Sequence, residues 1–296
     1  MRKNRLDLRG QILYNIVAAV ISALIIIPFI LLLSVSLSNE NDIADFGYRF
    51  LPKKIDISAY TYVFANGHDL LQAYKITAVI SVITMVGSVF LMSLIAYPLT
   101  KREMRGRQFI SFYLYFTMLF SGGLVPSYIL ITQYLHLGDT IWVYILPALI
   151  SPWYVFMMRT FFQSIPESML ESASIDGASE YRIFFTMVLP LSKPVLSAVA
   201  LFTFLNMWNN WYTSMLYINK ENLISLQYLL QRILLNLKLI QENTNANSTL
   251  IIDEIDVPAE TVRMAMAICV AGPALFIFPF FQKYFVQGLT VGSVKG

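Results

Sequence analysis

The chain has 296 residues, of which 57% are apolar and only 13% charged, and its net charge is +3. A soluble domain carries roughly 25% charged residues, so this composition excludes an ordinary water-soluble globule. The small net charge gives no sign of a nucleic-acid partner, and a single cysteine, Cys269, excludes a disulfide framework.

A helix needs roughly 17–25 apolar residues to cross about 30 Å of hydrocarbon. Six runs of this kind lack Asp, Glu, Lys, Arg and His: 12–37, 76–98, 109–131, 141–158, 195–218 and 264–281. In lipid each backbone polar group must be paired within its own segment, so the expected class is all-α, a single membrane domain of six transmembrane helices. The first run follows Arg2, Lys3, Arg5 and Arg9 but is too long for a signal peptide, so it reads as a retained first helix. Proline punctuates the runs at Pro28, Pro126, Pro147, Pro152, Pro273 and Pro279, where membrane helices kink.

Lys and Arg in short loops set orientation. With the N-terminus inside, segments 1–11, 99–108, 159–194 and 282–296 are cytoplasmic and hold 13 of the 21 basic residues. The remaining segments hold 12 of the 18 acids. Both termini then lie in the cytoplasm. Of the two long outer segments, 38–75 is polar and aromatic, with Pro52 and Gly67 as breakers. The other, 219–263, contains an amphipathic stretch at 223–240 with leucines near helical spacing, followed by a polar loop at 241–249. His136 and Asp139 sit in a short outer turn with no further ligand cluster, so no metal site is expected.

Segment 159–194 carries the strongest signal. Ser164-Ile165-Pro166-Glu167 has the form of a capping box with an early proline, which predicts a helix through 168–175. Asp176-Gly177 stops it, Ser179 caps a second helix over 180–188, and Pro190 ends that one. Met169, Leu170, Ala173, Ile175, Ala178, Phe184 and Phe185 are too many apolar residues for a solvated loop and suit packing into a partner's groove.

Glu171-Ser172-Ala173, three residues, Gly177, nine residues, Met187, one residue and Leu189-Pro190 follow a fixed pattern. It resembles the EAA loop of binding-protein-dependent ABC importer permeases, with Ser172 in place of an alanine. Asp176-Gly177-Ala178 has that loop's commonest form around the glycine. The tail, 288–296, is similar to that of the second, six-span permease of maltose-type carbohydrate importers. Ser121-Gly122-Gly123 with Pro126, Asp139-Thr140 with Trp142, and Trp208-Asn209-Asn210 resemble a branch that handles complex oligosaccharides in Gram-positive bacteria.

The resemblance implies the type I ABC importer permease fold in a bacterial cell membrane. It implies a pathway for a carbohydrate, an oligosaccharide, formed with a second permease. It also implies two ATP-binding subunits that hold ATP and Mg, and an extracellular sugar-binding protein, lipid-anchored or periplasmic. The chain itself would hold no cofactor and would be no enzyme. Glu171, Ser172, Ala173, Asp176, Gly177 and Ala178 would contact the ATPase, with Val294 and Lys295 of the tail. Asn206, Trp208, Asn209, Asn210 and Trp211 cluster near the end of the fifth span. Such a cluster either anchors at the membrane interface or stacks on sugar faces while its amides bond hydroxyls.

Two other classes compete. An ion-coupled secondary transporter would place ionisable groups inside its spans, and these runs have none. A membrane enzyme or sensor would need a converging catalytic set or an output domain, and neither is visible. The chain has no Gly-Lys-Ser/Thr phosphate loop, so ATP hydrolysis would belong to a partner.

Overall fold

Long apolar helices and short connecting turns account for the architecture. A computed structural model describes residues 8–65, 67–246 and 259–292, and no strand occurs among them. The helices are α1 (Leu8–Ser36), α2 (Glu40–Phe46), α3 (Ser58–Ala65), α4 (Gly67–Ala96), α5 (Arg107–Leu119), α6 (Leu124–Ile129), α7 (Trp142–Ile145) and α8 (Pro152–Phe162). There follow α9 (Glu167–Ile175), α10 (Glu180–Ile183), α11 (Leu189–Leu191), α12 (Lys193–Trp208), α13 (Tyr212–Tyr217), α14 (Leu226–Ala246) and α15 (Ala259–Gly292). The chain forms two compact units: Met1–Gly67 with Arg232–Ala271, and His68–Gln231 with Gly272–Gly296.

In the first unit, α1 is exposed along the whole of 11–30, an apolar surface that water would not tolerate. The connection after it is tied down by short polar bonds. Ser34 Oγ donates to the Arg49 carbonyl at 2.8 Å, and Asn39 Nδ2 to Asp56 Oδ2 at 2.7 Å. The Glu40 carboxylate accepts from the backbone N–H groups of Glu260 and Thr261 at 2.9 Å and from Thr261 Oγ1 at 2.7 Å. It thus caps the first turn of α15, where orphan N–H groups and the helix dipole favour an anion.

In the second unit, among the described residues, the Asp69–Thr100 helix is long and apolar enough to span a membrane unbroken. Of the other apolar runs, 109–131 and 141–158 are bent. The run expected as one span over 109–131 is instead α5 and the Leu124–Tyr134 helix, turned by 115°. Gly123 makes the corner, at φ +85°. At 13 residues α5 is about 20 Å long, too short to cross alone. The 141–158 run bends by 45° between Trp142–Ala148 and Pro152–Phe162. The freed backbone groups there are taken up by α4. Ser88 Oγ donates to the Ala148 carbonyl at 3.1 Å, and the Ser151 N–H donates to Met92 Sδ at 3.3 Å. Gly87 permits this approach, because a Cβ there would lie 2.9 Å from a Leu149 methyl.

The run over 195–218 is also divided, with α12 ending at Trp208 and α13 starting at Tyr212. The asparagines compete with the helix for its own backbone groups. Asn209 Nδ2 donates to the Leu205 carbonyl at 2.9 Å, and Asn210 Oδ1 accepts from the Thr213 N–H at 3.0 Å. The 264–281 run lies within α15, which contains Pro273 and Pro279. The amphipathic stretch forms α14, which runs to Ala246, further than expected; nothing between Gln241 and Ala246 is Gly or Pro, so no breaker stops it. Residues 247–249 of the expected loop lie outside the described residues.

His136 and Asp139 both adopt positive φ, 49° and 55°. Asp139 is held there by its own acceptor set: the Asn219 N–H at 2.5 Å, the Lys220 N–H at 3.1 Å and Asn219 Nδ2 at 3.2 Å. Among the described residues no group of three metal-ligating side chains occurs.

Ser88→Ala leaves a backbone carbonyl unpaired at a helix break and should cost about 1–3 kcal/mol; an unchanged thermal midpoint in detergent would contradict the role given to Ser88. The backbone N–H of Asn219 leads the groups that hold the Asp139 carboxyl below its ordinary 3.8. A depressed carboxyl stabilises the fold above its unfolded pKa, and the stabilisation is lost as pH falls through the folded value. The protection factors of the Asn219 and Lys220 amides, taken against their intrinsic rates, should therefore fall on acidification below the ordinary carboxylate range. In Asp139→Asn the protection should be low at every pH; wild-type-like protection in that variant would refute the link.

Candidate functional site

Helices α9 and α10 form a knuckle between the bent pair at α7–α8 and the one at α11–α12. The Ser164 capping box is not made: Ser164 Oγ donates to the Phe161 carbonyl at 2.6 Å, and Pro166 occupies the cap position without a side-chain bond. The proline alone starts α9, its fixed φ suiting the first turn.

The end of α9 is a Schellman turn. The Ala178 N–H donates to the Ala173 carbonyl and the Gly177 N–H to the Ser174 carbonyl, each at 3.0 Å. Gly177 sits at φ +80°, with nothing within 4 Å of a built Cβ. The glycine is therefore required by backbone conformation and not by crowding. Ser179 then caps α10, its Oγ accepting from the Arg182 N–H at 3.4 Å.

Beyond α10 the helix does not stop at Pro190. It widens into a π turn over Phe184–Val188, continues as α11, and bends by 77° into α12. The Leu189 N–H reaches the Phe184 carbonyl. The wider turn moves the preceding carbonyls away from the Pro190 ring, which would clash in a regular helix. Ser192 at the bend is wholly buried, and its N–H bonds the Val188 carbonyl at 3.0 Å.

The apolar residues of the knuckle divide between two faces, where the sequence suggested one. Ile183 and Phe184 are buried in a cluster with Met92, Tyr97, Val155 and Val195, and Leu170, Ala173 and Ala178 pack on it. These residues hold the knuckle to its own chain. Met169, Ile175, Tyr181 and Phe185 remain exposed, and Ile175 at the apex is 85% exposed. Glu171, Ser172, Asp176 and Gly177 lie exposed beside Ile175 in the chain. Ala173 and Ala178 instead belong to the anchor and to the turn. Val294 and Lys295 lie outside the described residues.

One anchor was not legible in the sequence. Tyr97 Oη donates to Glu180 Oε2 at 2.5 Å, and Lys101 Nζ pairs with Glu180 Oε1 at 3.0 Å. Lys101 also lies 5.3 Å from the centre of the Tyr97 ring. Together they fasten the start of α10 to the end of α4. Only charge counting singled out Lys101 in the sequence, and nothing in the local pattern pairs residues so far apart.

The second residue group is split as well. Trp208 is 3% exposed and stacks on Phe204 at 5.7 Å, so it is core. Asn210 is spent on the turn: its Oδ1 accepts from the Thr213 N–H at 3.0 Å, its Nδ2 donates to Thr213 Oγ1 at 3.0 Å and its carbonyl accepts from Ser225 Oγ at 2.9 Å. Asn206, Asn209 and Trp211 are exposed. Asn209 Oδ1 accepts from Gln227 Nε2 at 3.0 Å, and Asn206 Nδ2 donates to Tyr154 Oη at 3.3 Å. Tyr154 in turn stacks on Phe202 with ring centres 6.4 Å apart.

Comparison with known proteins agrees with this geometry. Residues 6–291 match the family of the binding-protein-dependent transport system inner membrane component. The chain is 35% identical to the protein LplC of Bacillus subtilis over 276 residues, covering 93% of this chain and 91% of that one. It is also 35% identical to the polygalacturonan/rhamnogalacturonan transport system permease protein YtcP of the same organism, covering 92% and 93%. A crystal structure of a bacterial ABC transporter involved in the import of the acidic polysaccharide alginate contains a chain with TM-score 0.78 and 29% identity, covering 95% of this chain and 98% of that one. The fold is that of the type I ABC permeases, and the role is a transport component in the membrane, not an enzyme. The chain belongs to the family of binding-protein-dependent transport system inner membrane components.

Proposed function

We propose that this chain is the permease subunit of an ABC importer for a carbohydrate, and that the knuckle over 171–194 couples it to an ATPase. The observation that carries the coupling role is the apex: a Schellman turn presents Ile175 almost fully to solvent while the flanking apolar residues are sunk into the chain's own core. An exposed apolar apex beside the exposed carboxylates Glu171 and Asp176 suits a groove on a cytoplasmic partner. In this reading the termini and segments 99–108 and 159–194 face the cytoplasm. The partners are a second permease, two ATP-binding subunits that hold ATP and Mg, and a sugar-binding protein outside. Val294 and Lys295 are proposed as further ATPase contacts.

The carbohydrate assignment is supported by the relatives, among them permeases for polygalacturonan or rhamnogalacturonan and for arabinooligosaccharides. They lend no support to an ion-coupled carrier. Among the five candidates for the pathway, the exposure of Asn206, Asn209 and Trp211 supports a role for them in meeting substrate, whereas Trp208 is buried and Asn210 is engaged in its turn. Asn206 with Tyr154 and Phe202 offers an amide beside two rings, the chemistry that binds a sugar's hydroxyls and its apolar face.

Two experiments in the reconstituted transporter test these roles. Gly177→Val puts a β-branched residue in the left-handed region, at a cost of about 1–2 kcal/mol. It should abolish uptake and the stimulation of ATPase activity by the binding protein, while Gly177→Ala should be milder; wild-type coupling in the valine variant would sink the assignment. Asn206→Ala should raise the KM for uptake roughly tenfold, as loss of a buried or substrate hydrogen bond does, with stimulated ATPase activity retained. An unchanged KM would remove Asn206 from the pathway.

A further inference from the structure

The start of α5 lines an open cleft of about 860 Å³ whose wall includes Arg102, Arg107, Gln108, Ser111 and Arg159. No carboxylate lines it. Among the described residues none of the three arginines has an ion pair, and the nearby Glu180 is already engaged by Tyr97 and Lys101. Arg159 Nη1 donates to Ser111 Oγ at 3.3 Å, but its Nε is buried with no partner. The first N–H groups of α5 open at the same place, because Gly106 gives that helix no side-chain cap. Three guanidinium groups gathered without a counter-ion repel each other, and a buried donor left unpaired is destabilising. Both costs vanish if an anion with several acceptor oxygens enters the cleft.

A second cavity of about 610 Å³ also touches α5 and shares Met104 with the first. Its wall is apolar, with Leu94, Leu99, Ile110, Leu114 and Ile150. Phe109 and Phe112 stand 73% and 63% exposed on the same helix. A basic cleft joined to an apolar crevice at the end of membrane helices matches an amphiphile, with head and tail in separate solvents. An acidic peptide would use the arginines but has no need of the crevice. We infer that this cleft binds the phosphate headgroup of an anionic phospholipid, with an acyl chain lying in the crevice beside Leu114.

The test uses the complete transporter complex in bilayer discs of phosphatidylcholine, with and without phosphatidylglycerol, and native mass spectrometry of the retained lipid. The wild type should retain phosphatidylglycerol over phosphatidylcholine. Arg107→Gln with Arg159→Gln should weaken that retention roughly fivefold for each arginine removed, the share that one basic residue contributes at an anionic surface. Arg102→Gln, on an exposed side chain, should give a single fivefold loss and decides the matter if the double variant does not assemble. Equal retention of the two lipids, or unchanged retention in these variants, overturns the proposal. Full displacement of the lipid by inorganic phosphate would show a free-anion site and overturns it too. So does loss of the ATPase subunits from the variants with lipid retention intact, which would make the cleft a protein-docking site.

Discussion

In hydrocarbon an unpaired backbone N–H or C=O costs several kcal/mol, and everything in this chain is arranged around that cost. Its second unit breaks helices at 120–123, 149–151, 192 and 209–211, and each break frees backbone groups. Side chains take them up. Ser127 Oγ donates to the Gly123 carbonyl at 2.7 Å, and Ser88 and Met92 serve the Ala148–Ser151 break. Ser225 Oγ donates to the Asn210 carbonyl. The unbroken α4 supplies two of these partners and, through Thr77 Oγ1, a third, which accepts from the Leu226 N–H at 2.9 Å. Small hydroxylated residues and Gly87 on one helix thereby make broken helices possible on its neighbours.

The same arrangement decides what the knuckle can be. A loop between two spans could be solvated and mobile. Here Leu170, Ala173, Ala178, Ile183 and Phe184 are drawn into one cluster with α4, α8 and α12. Close-packed protein interiors transmit strain and do not absorb it. What remains outside is the small set around Ile175, held in place by two turn hydrogen bonds and by the Tyr97–Glu180–Lys101 bonds.

Sequence reasoning reached the helices, the glycine turn and the Ser179 cap because each depends on neighbours within a few residues. Apolar runs, a left-handed glycine and a hydroxyl at a cap are local chemistry. It failed where the deciding partner was distant. An uncharged run such as 109–131 reads as one span, and only the backbone at Gly123 shows the 115° turn. Ala173 and Phe184 read as partner-facing because apolar content does not say which apolar surface is nearer. Trp208 and Asn210 looked like Asn209 and Trp211 by composition; burial and the Thr213 bonds separate them. The capping box at Ser164 matched in letters, yet Pro166 already sets the first turn, and the serine turned back to Phe161.

This division of residues has a consequence for coupling as proposed above. Packed clusters are bistable rather than continuously deformable, so a push on Ile175 moves the cluster as a body. The cluster contains Val195 and Val199, which lie within the first two turns of α12. Fourteen residues of α12 run from Lys193 to Asn206, about 20 Å at 1.5 Å per residue. A regular helix hydrogen-bonded along that length cannot shorten, so displacement at its inner end becomes translation or tilt at its outer end, where Asn206 meets Tyr154. The freedom for that tilt must come from the flanking breaks, since neither the cluster nor α12 supplies it. In the coupling proposed, Ser192, buried at a 77° bend between Pro190 and Pro194, and Asn209 at the other end would therefore be the two places where the chain turns.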